Sequence, residues 1–214
     1  MALLYFVPLL LNHAYASSNC DFPAIFNFGD SNSDTGGYGA AFQPPTKPNG
    51  ETFFRRPVGR FSDGRLIIDF LAEGLGLPYL HAYLDAVGPN FTNGVNFATA
   101  ASTILPQRNV LPLDGFSPFS LNLQYIRFTR LRNNSHFIFN HAKGGVFDYL
   151  LPKKDYYSRA LYTFDIGHND MTAALFANMS ISEVRGFEKP LVACCGYGVD
   201  QFNYSPQAQC GGTI

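Results

Sequence analysis

Tryptophan is absent from this 214-residue sequence, and charge is scarce. Charged residues make up 14 % of the chain, and 15 Lys+Arg against 16 Asp+Glu leave a net charge of −1. That balance provides no basic field for nucleic acid and no acidic tail, so no nucleic-acid partner is expected. Long apolar runs are missing too. The N-terminal run Leu3–Leu11 falls far short of the ~20 residues that a membrane span needs, so no membrane span is expected. Cysteines number four, and neither they nor the histidines show a metal-ligand spacing, so the expected cofactor and metal content is none. Internal repeats and low-complexity segments are also lacking, which excludes a solenoid.

What is present is a globular composition. Hydrophobic residues reach 46 % and aromatics 15 %, with 21 Phe and 12 Tyr, enough for one domain with a real core. Residues 1–16 read as a secretory signal, with Leu3–Leu11 as the apolar core and Ala14-Tyr15-Ala16 as a small-x-small cleavage site. Residues 17–214 then form a single domain, and the expected location is secreted, in the extracellular space or cell wall. All four cysteines, Cys20, Cys194, Cys195 and Cys210, lie in this mature part. An even count in a secreted chain points to disulfides, with three pairings open. Sequons at Asn90, Asn133, Asn178 and Asn203 are candidate glycosylation sites.

Three apolar runs read as buried strands: Phe22–Phe28, Asn93–Ala98 and Ala160–Ile166. Between them lie helical spacings. Ile67, Phe70, Leu71 and Leu75 predict one helix, stopped by Pro78. Leu121, Tyr125 and Phe128 suggest another, although Leu121, Leu123 and Tyr125 also alternate as a strand would, and a short helix is expected from Met171. Residues 36–64 are rich in Gly, Pro and Arg and read as a long loop; Arg55, Arg56 and Arg60 within it and Arg65 just after it are expected at the surface, with one available to a carboxylate or a sugar. Strands alternating with helices give an α/β class with a doubly wound parallel sheet.

Chemistry in such sheets gathers at the carboxyl ends of the strands. The first run ends in Gly29-Asp30-Ser31-Asn32-Ser33-Asp34-Thr35-Gly36, which places Ser31 where a nucleophile would stand. The same residue types also make ordinary turns. Asn169 follows the third strand, either as a donor aimed at a substrate oxygen or as a helix N-cap.

The block Phe26–Gly36 resembles the first signature of the plant GDSL esterase/lipases, a branch of the SGNH hydrolases, with Asn32 in place of the usual Leu. Gly59–Arg65, Gly94-Val95-Asn96-Phe97-Ala98 and Gly167-His168-Asn169-Asp170 match further blocks in the expected order, and the wording is most similar to the subgroup named alpha-L-fucosidase-like. The resemblance implies an SGNH-like sheet flanked by helices and hydrolysis of esters through an acyl-Ser31 intermediate. It implies oxyanion donors at the Ser31 backbone, at Asn169 and at a backbone N–H whose family glycine is Ala101 here, a position that φ > 0 would suit poorly. The family's general base comes from a late Asp-x-x-His block, which this sequence lacks. His81, His136 and His141 are expected in loops with no catalytic part, and His168 is set aside because relatives often carry Gln there. From about Arg185 the text resembles a segment found much later in full-length relatives. An internal deletion near residue 184, a truncated end and an incomplete sheet are therefore expected, with lowered stability and impaired turnover.

Three functions compete at this point. The first is a secreted esterase acting on a small-molecule or cell-wall acyl ester. The second is a glycosidase, which needs two carboxylates about 5–9.5 Å apart across the scissile bond; Asp30, Asp34, Asp165 and Asp170 fall near the same strand ends. The third is a catalytically inactive product.

Overall fold

The computed structural model describes residues 21–106, 117–142 and 145–184. The signal segment, all four cysteines, the Asn203 sequon and everything from Arg185 onward lie outside the described residues. Strand β1 (Ile25–Gly29) is the centre of a parallel three-stranded sheet, flanked by β2 (Gly94–Asn96) and β3 (Leu161–Asp165) in the order β2-β1-β3. The chain leaves β1 to one side and later returns to the other, so β1 marks the point where the winding reverses. In open α/β sheets, ligands bind outside the carboxyl ends at such a point. The expected α/β parallel sheet is therefore present; β2 and β3 lie inside their predicted runs, and β1 extends one residue past its own. Gly29, just past the first predicted run, is the last residue of β1.

Register explains which faces are apolar. Phe26 lies opposite Val95 and Tyr162, and Phe28 lies opposite Phe164. These side chains share one face with Phe97 and meet the 21-residue helix α3 (Leu121–His141) through Phe128 and Leu131. Phe26 stacks on Tyr157 at 5.0 Å, and Phe28 stacks on Phe97 at 5.2 Å and on Phe164 at 5.0 Å. Offset aromatic pairs of this kind add about 0.5–1.5 kcal/mol each beyond area burial. Pleating turns Ile25 to the other face, where Leu66, Ile68, Ala72 and Leu80 cover it. Helices on both faces make the sheet doubly wound. At Gly94, with φ +112°, an added Cβ would fall 1.8 Å from the Ile25 carbonyl, so only glycine lets β2 close on β1.

Two expectations are corrected here. Helix α2 (Ile67–Gly74) exists where predicted, but it buries Ile68, Asp69 and Ala72 and leaves Ile67, Phe70 and Leu71 exposed. The cause is Arg60, buried rather than solvated. Its guanidinium takes both carboxylate oxygens of Asp69 at 2.6 and 2.8 Å and so draws that side of the helix inward. Arg65, by contrast, pairs with Glu73 at the surface and stacks over Phe53 and Phe70. The predicted loop 36–64 carries a one-turn helix, α1 (Gly37–Ala41), and is cross-braced by Gly50 N–H to Ser62 O and Thr52 N–H to Asp63 O. A short α4 (Tyr156–Arg159) precedes β3, and α5 (His168–Phe176) follows it, starting three residues earlier than expected.

Candidate active site

A polar row runs across the sheet beneath the strand ends. Asn96, Asn27 and Thr163 are register partners on β2, β1 and β3. Thr163 Oγ1 donates to Asn27 Oδ1 at 2.7 Å, and Asn27 Nδ2 donates to Asn96 Oδ1 at 2.7 Å. Asn96 Nδ2 then donates to Ser33 O at 2.6 Å and to Thr35 Oγ1 at 2.9 Å. Each buried amide is satisfied, and the row ends on the loop that carries Ser31. Behind it, Gln124 of α3 mimics a neighbouring peptide. Its Oε1 accepts from Gly29 N–H at 3.0 Å and its Nε2 donates to Gly29 O at 2.8 Å.

Three loops leave the strand ends, and carboxylates staple them together. Asp34, wholly buried, accepts backbone N–H groups from Gly36, Gly37 and Tyr38 of its own loop and from Ala100 of the loop after β2. Asp170 of α5 accepts from Ile104 and Leu105 of that same second loop, at 2.9 and 3.2 Å. Asp30 N–H donates to Asp165 O at 3.2 Å, joining the first loop to the end of β3. Burial pushes the Asp34 and Asp170 carboxyls above the ordinary carboxylate range, against the lowering pull of their backbone donors. Burial raises Asp30 as well, opposed by the Asn32 N–H and His168 and reinforced by Asp165.

The sequence-predicted residues converge on this junction. Ser31, half-buried, stands two residues past β1. Asn169 is not the N-cap of α5; Gly167 holds that position, and Asn169 lies buried in the first turn. Its amide nitrogen donates to Ser102 O at 2.8 Å and to Asp30 Oδ2 at 3.3 Å, so it touches the chain neighbours of both Ala101 and Ser31. Ala101 adopts φ +61°, the left-handed region its alanine was expected to resist. Among the described residues, nothing accepts the backbone N–H of Ser31 or of Ala101, and nothing pairs with the Ser31 hydroxyl.

Histidine placement departs from expectation. His136 and His141 lie in α3 rather than in loops. His136 packs edge-on to Tyr157 at 5.4 Å, and burial together with Lys154 and Arg132 lowers its pKa. His168 Nδ1 sits 3.0 Å from Asp30 Oδ2, a pairing the sequence reading passed over. One signal was available, because Asp165-Ile166-Gly167-His168 repeats the Asp-x-x-His spacing at the end of β3.

Of the sequons, Asn90 and Asn178 are exposed, and Asn133 lies on the exposed side of α3. Asn90 borders an open groove of about 790 Å³ with Asn93, Tyr149 and Tyr156, at the amino end of the strands and thus away from Ser31.

A family model described as GDSL-like lipase/acylhydrolase matches residues 25–185. The chain belongs to this family. A GDSL esterase/lipase of Arabidopsis thaliana is 56 % identical over 178 residues, covering 83 % of this chain and 46 % of that protein. Alpha-L-fucosidase 3 of the same plant is 56 % identical over 165 residues, covering 77 % and 44 %. An esterase of Hevea brasiliensis is 54 % identical over 190 residues, covering 88 % and 48 %. This GDSL chain therefore spans about half the length of the curated relatives it matches. No helix among its described residues is long and apolar enough to cross a membrane.

Proposed function

We propose that this GDSL-family chain is a secreted carboxylic ester hydrolase in which Ser31 is the acyl-accepting nucleophile. The observation that carries the reading is the meeting of three strand ends. The Asn169 amide bonds to Asp30 and Ser102, the chain neighbours of Ser31 and Ala101, whose own N–H groups have no acceptor among the described residues. As Ser31 Oγ attacks an acyl carbon, negative charge develops on the carbonyl oxygen, and donors already in place stabilise it without reorganisation. The 3.3 Å contact of Asn169 with Asp30 is the longer of its two bonds and the one a substrate oxygen would replace. The substrate class is an acyl ester on a small molecule or a cell-wall sugar, and no cofactor takes part. Residues 1–16 act as the export signal, residues 17–214 form one domain, and the exposed sequons, Asn90 foremost, receive glycans.

The fucosidase name of one relative supports a weaker second reading. Paired catalytic carboxylates must be free to protonate a leaving group and to attack or activate water. Asp34 and Asp170 instead spend their oxygens on backbone N–H groups, and Asp30 is fully buried.

Hydrolysis of p-nitrophenyl butyrate and of p-nitrophenyl α-L-fucoside by the secreted protein, beside Ser31→Ala, separates the two. The ester reading expects butyrate turnover that falls at least about 10³-fold in Ser31→Ala, as triad members do when removed. Fucoside turnover that survives the substitution would replace it.

A further inference from the structure

We propose that the groove at the amino end of the sheet seats the first two sugars of the glycan that Asn90 carries. The inference rests on the reading of Asn90 as a glycosylated residue and adds where that glycan lies.

The sequon Asn90-Phe91-Thr92 is held in place before any sugar is considered. Asn90 Oδ1 accepts from Thr92 N–H at 2.9 Å. That leaves the amide nitrogen, the atom that bears the sugar, with no partner among the described residues. The turn is then fastened to the 3-10 helix Val146–Tyr149 and the residue after it. Thr92 Oγ1 donates to Tyr149 O at 2.8 Å, and Phe91 N–H donates to Leu150 O at 2.9 Å. Asn93 continues the anchoring, with its Nδ2 donating to Pro23 O at 3.0 Å. A sugar on Asn90 therefore starts from a fixed point, which lowers the entropy lost when its first residues are ordered.

The groove that Asn90 borders has the size and the lining for those residues. Its volume of about 790 Å³ falls within the ~300–1,000 Å³ of small-molecule sites. Tyr149 is 76 % exposed, and its ring has no aromatic or cationic partner among the described residues. Tyr156 stands in the same lining, with Lys153 Nζ 5.8 Å from its ring centroid. Asp148 and Lys153 have no ion-pair partner among the described residues, and Asn93 adds an amide. A pyranose is divided in the same way. Its C–H groups make an apolar face that fits a tyrosine ring. Its hydroxyl and acetamido groups ring the edge, where a carboxylate, an ammonium and an amide can bond them. One charge of each sign favours a neutral ligand over an anion.

The tether decides which sugar occupies the groove. A sugar linked to the rim by a short connection acts at an effective concentration of about millimolar, which a dilute sugar in solution does not match. The seated glycan then bridges the turn at 90–93 to the segment at 148–156 and covers the exposed Tyr149 ring.

The test uses the full secreted chain from a plant host whose glycans are held at the high-mannose stage. Its variants are Tyr149→Ala, Tyr149→Phe, Asn90→Gln and the double variant of Asn90→Gln with Tyr149→Ala. Glycopeptide mass spectrometry reads occupancy at Asn90, and circular dichroism confirms folding. An endoglycosidase that cuts between the first two sugars is timed on the folded chain and on the tryptic peptide bearing Asn90. Stacking of this order should make the folded parent about tenfold slower to cut than its peptide. Tyr149→Phe should keep that protection, and Tyr149→Ala should lose it. Asn90→Gln and Tyr149→Ala should each lower the thermal midpoint by about 2–4 °C. The double variant should fall no further than either alone, because both remove the same contact. Added N,N′-diacetylchitobiose should raise the midpoint of Asn90→Gln and leave the parent unchanged.

An occupied Asn90 that is cut as fast in the folded parent as in the peptide overturns the inference and leaves the glycan reading standing. Protection that survives Tyr149→Ala, or additive losses in the double variant, does the same. Equal stabilisation of parent and Asn90→Gln by the disaccharide also overturns it, because the groove is then open to sugars from outside. An unoccupied Asn90 overturns both readings.

Discussion

At Ala101 the backbone holds φ +61° with a methyl group attached. Left-handed backbone costs a non-glycine residue roughly 1–2 kcal/mol, and glycine's looser unfolded state returns part of that difference. Ala101→Gly should therefore stabilise the fold by about 0.5–1 kcal/mol, read as a thermal midpoint a few degrees higher. On the proposed reading of the Ala101 N–H as an oxyanion donor, it should also raise the rate at which a covalent probe labels Ser31. The position was legible before any coordinates, because matching Asn96 to its block leads to residue 101. The Asp30–His168 pair was not, because their meeting depends on two strand ends 138 positions apart. Gln124 was equally silent in sequence. A glutamine at helical spacing gives no sign that its amide will pair with both backbone groups of Gly29.

Among the elements, α2 shows how one ion pair overrides apolar periodicity. Arg60 and Asp69 are both buried, so removing one leaves the other uncompensated. Arg60→Ala should cost about 3–5 kcal/mol, while Arg65→Ala at the exposed Glu73 pair should cost less than about 1 kcal/mol. Chemical denaturation of the two variants checks the ranking, and equal losses would contradict the burial argument. The helix itself was readable from Ile67, Phe70, Leu71 and Leu75. Its inward face was not, because the partner that sets it lies nine residues upstream in a stretch read as solvated loop. The strands were readable for the opposite reason. Each is a short apolar run, and its pairing follows from parallel alternation with helices, with no need for a distant polar partner.

At the scale of the molecule, three carboxyls, two of them fully buried and Asp170 partly so, share a direction. The folded-state pKa values of Asp30, Asp34 and Asp170 are raised above the ordinary value. A raised carboxyl contributes stability that is fully present below its unfolded pKa and is lost as pH rises through the folded one. Mild acidification from neutrality towards the raised values should therefore increase the thermal midpoint, measured by circular dichroism in buffers of matched ionic strength. A midpoint falling steadily over that interval would show that other carboxylates govern. The surface carries a second whole-molecule signal. Ile67, Phe70 and Leu71 form an exposed apolar face on α2, with Ile67 70 % exposed. Such faces favour self-association. Ile67→Glu should lower light scattering on concentration while shifting stability by no more than about 0.5 kcal/mol.

The row Thr163–Asn27–Asn96 carries a consequence for assembly. Side chains alternate faces along a strand, so a slip of one residue in β1 or β3 would turn its member of the row to the far side. The chain of amides would be cut, and the turn bearing Ser31 would lose its anchor at Ser33 and Thr35. A misthreaded sheet therefore cannot hold Ser31 in this turn. On the proposed role of Ser31 as nucleophile, a covalent probe for it would count correctly threaded molecules in a refolding mixture.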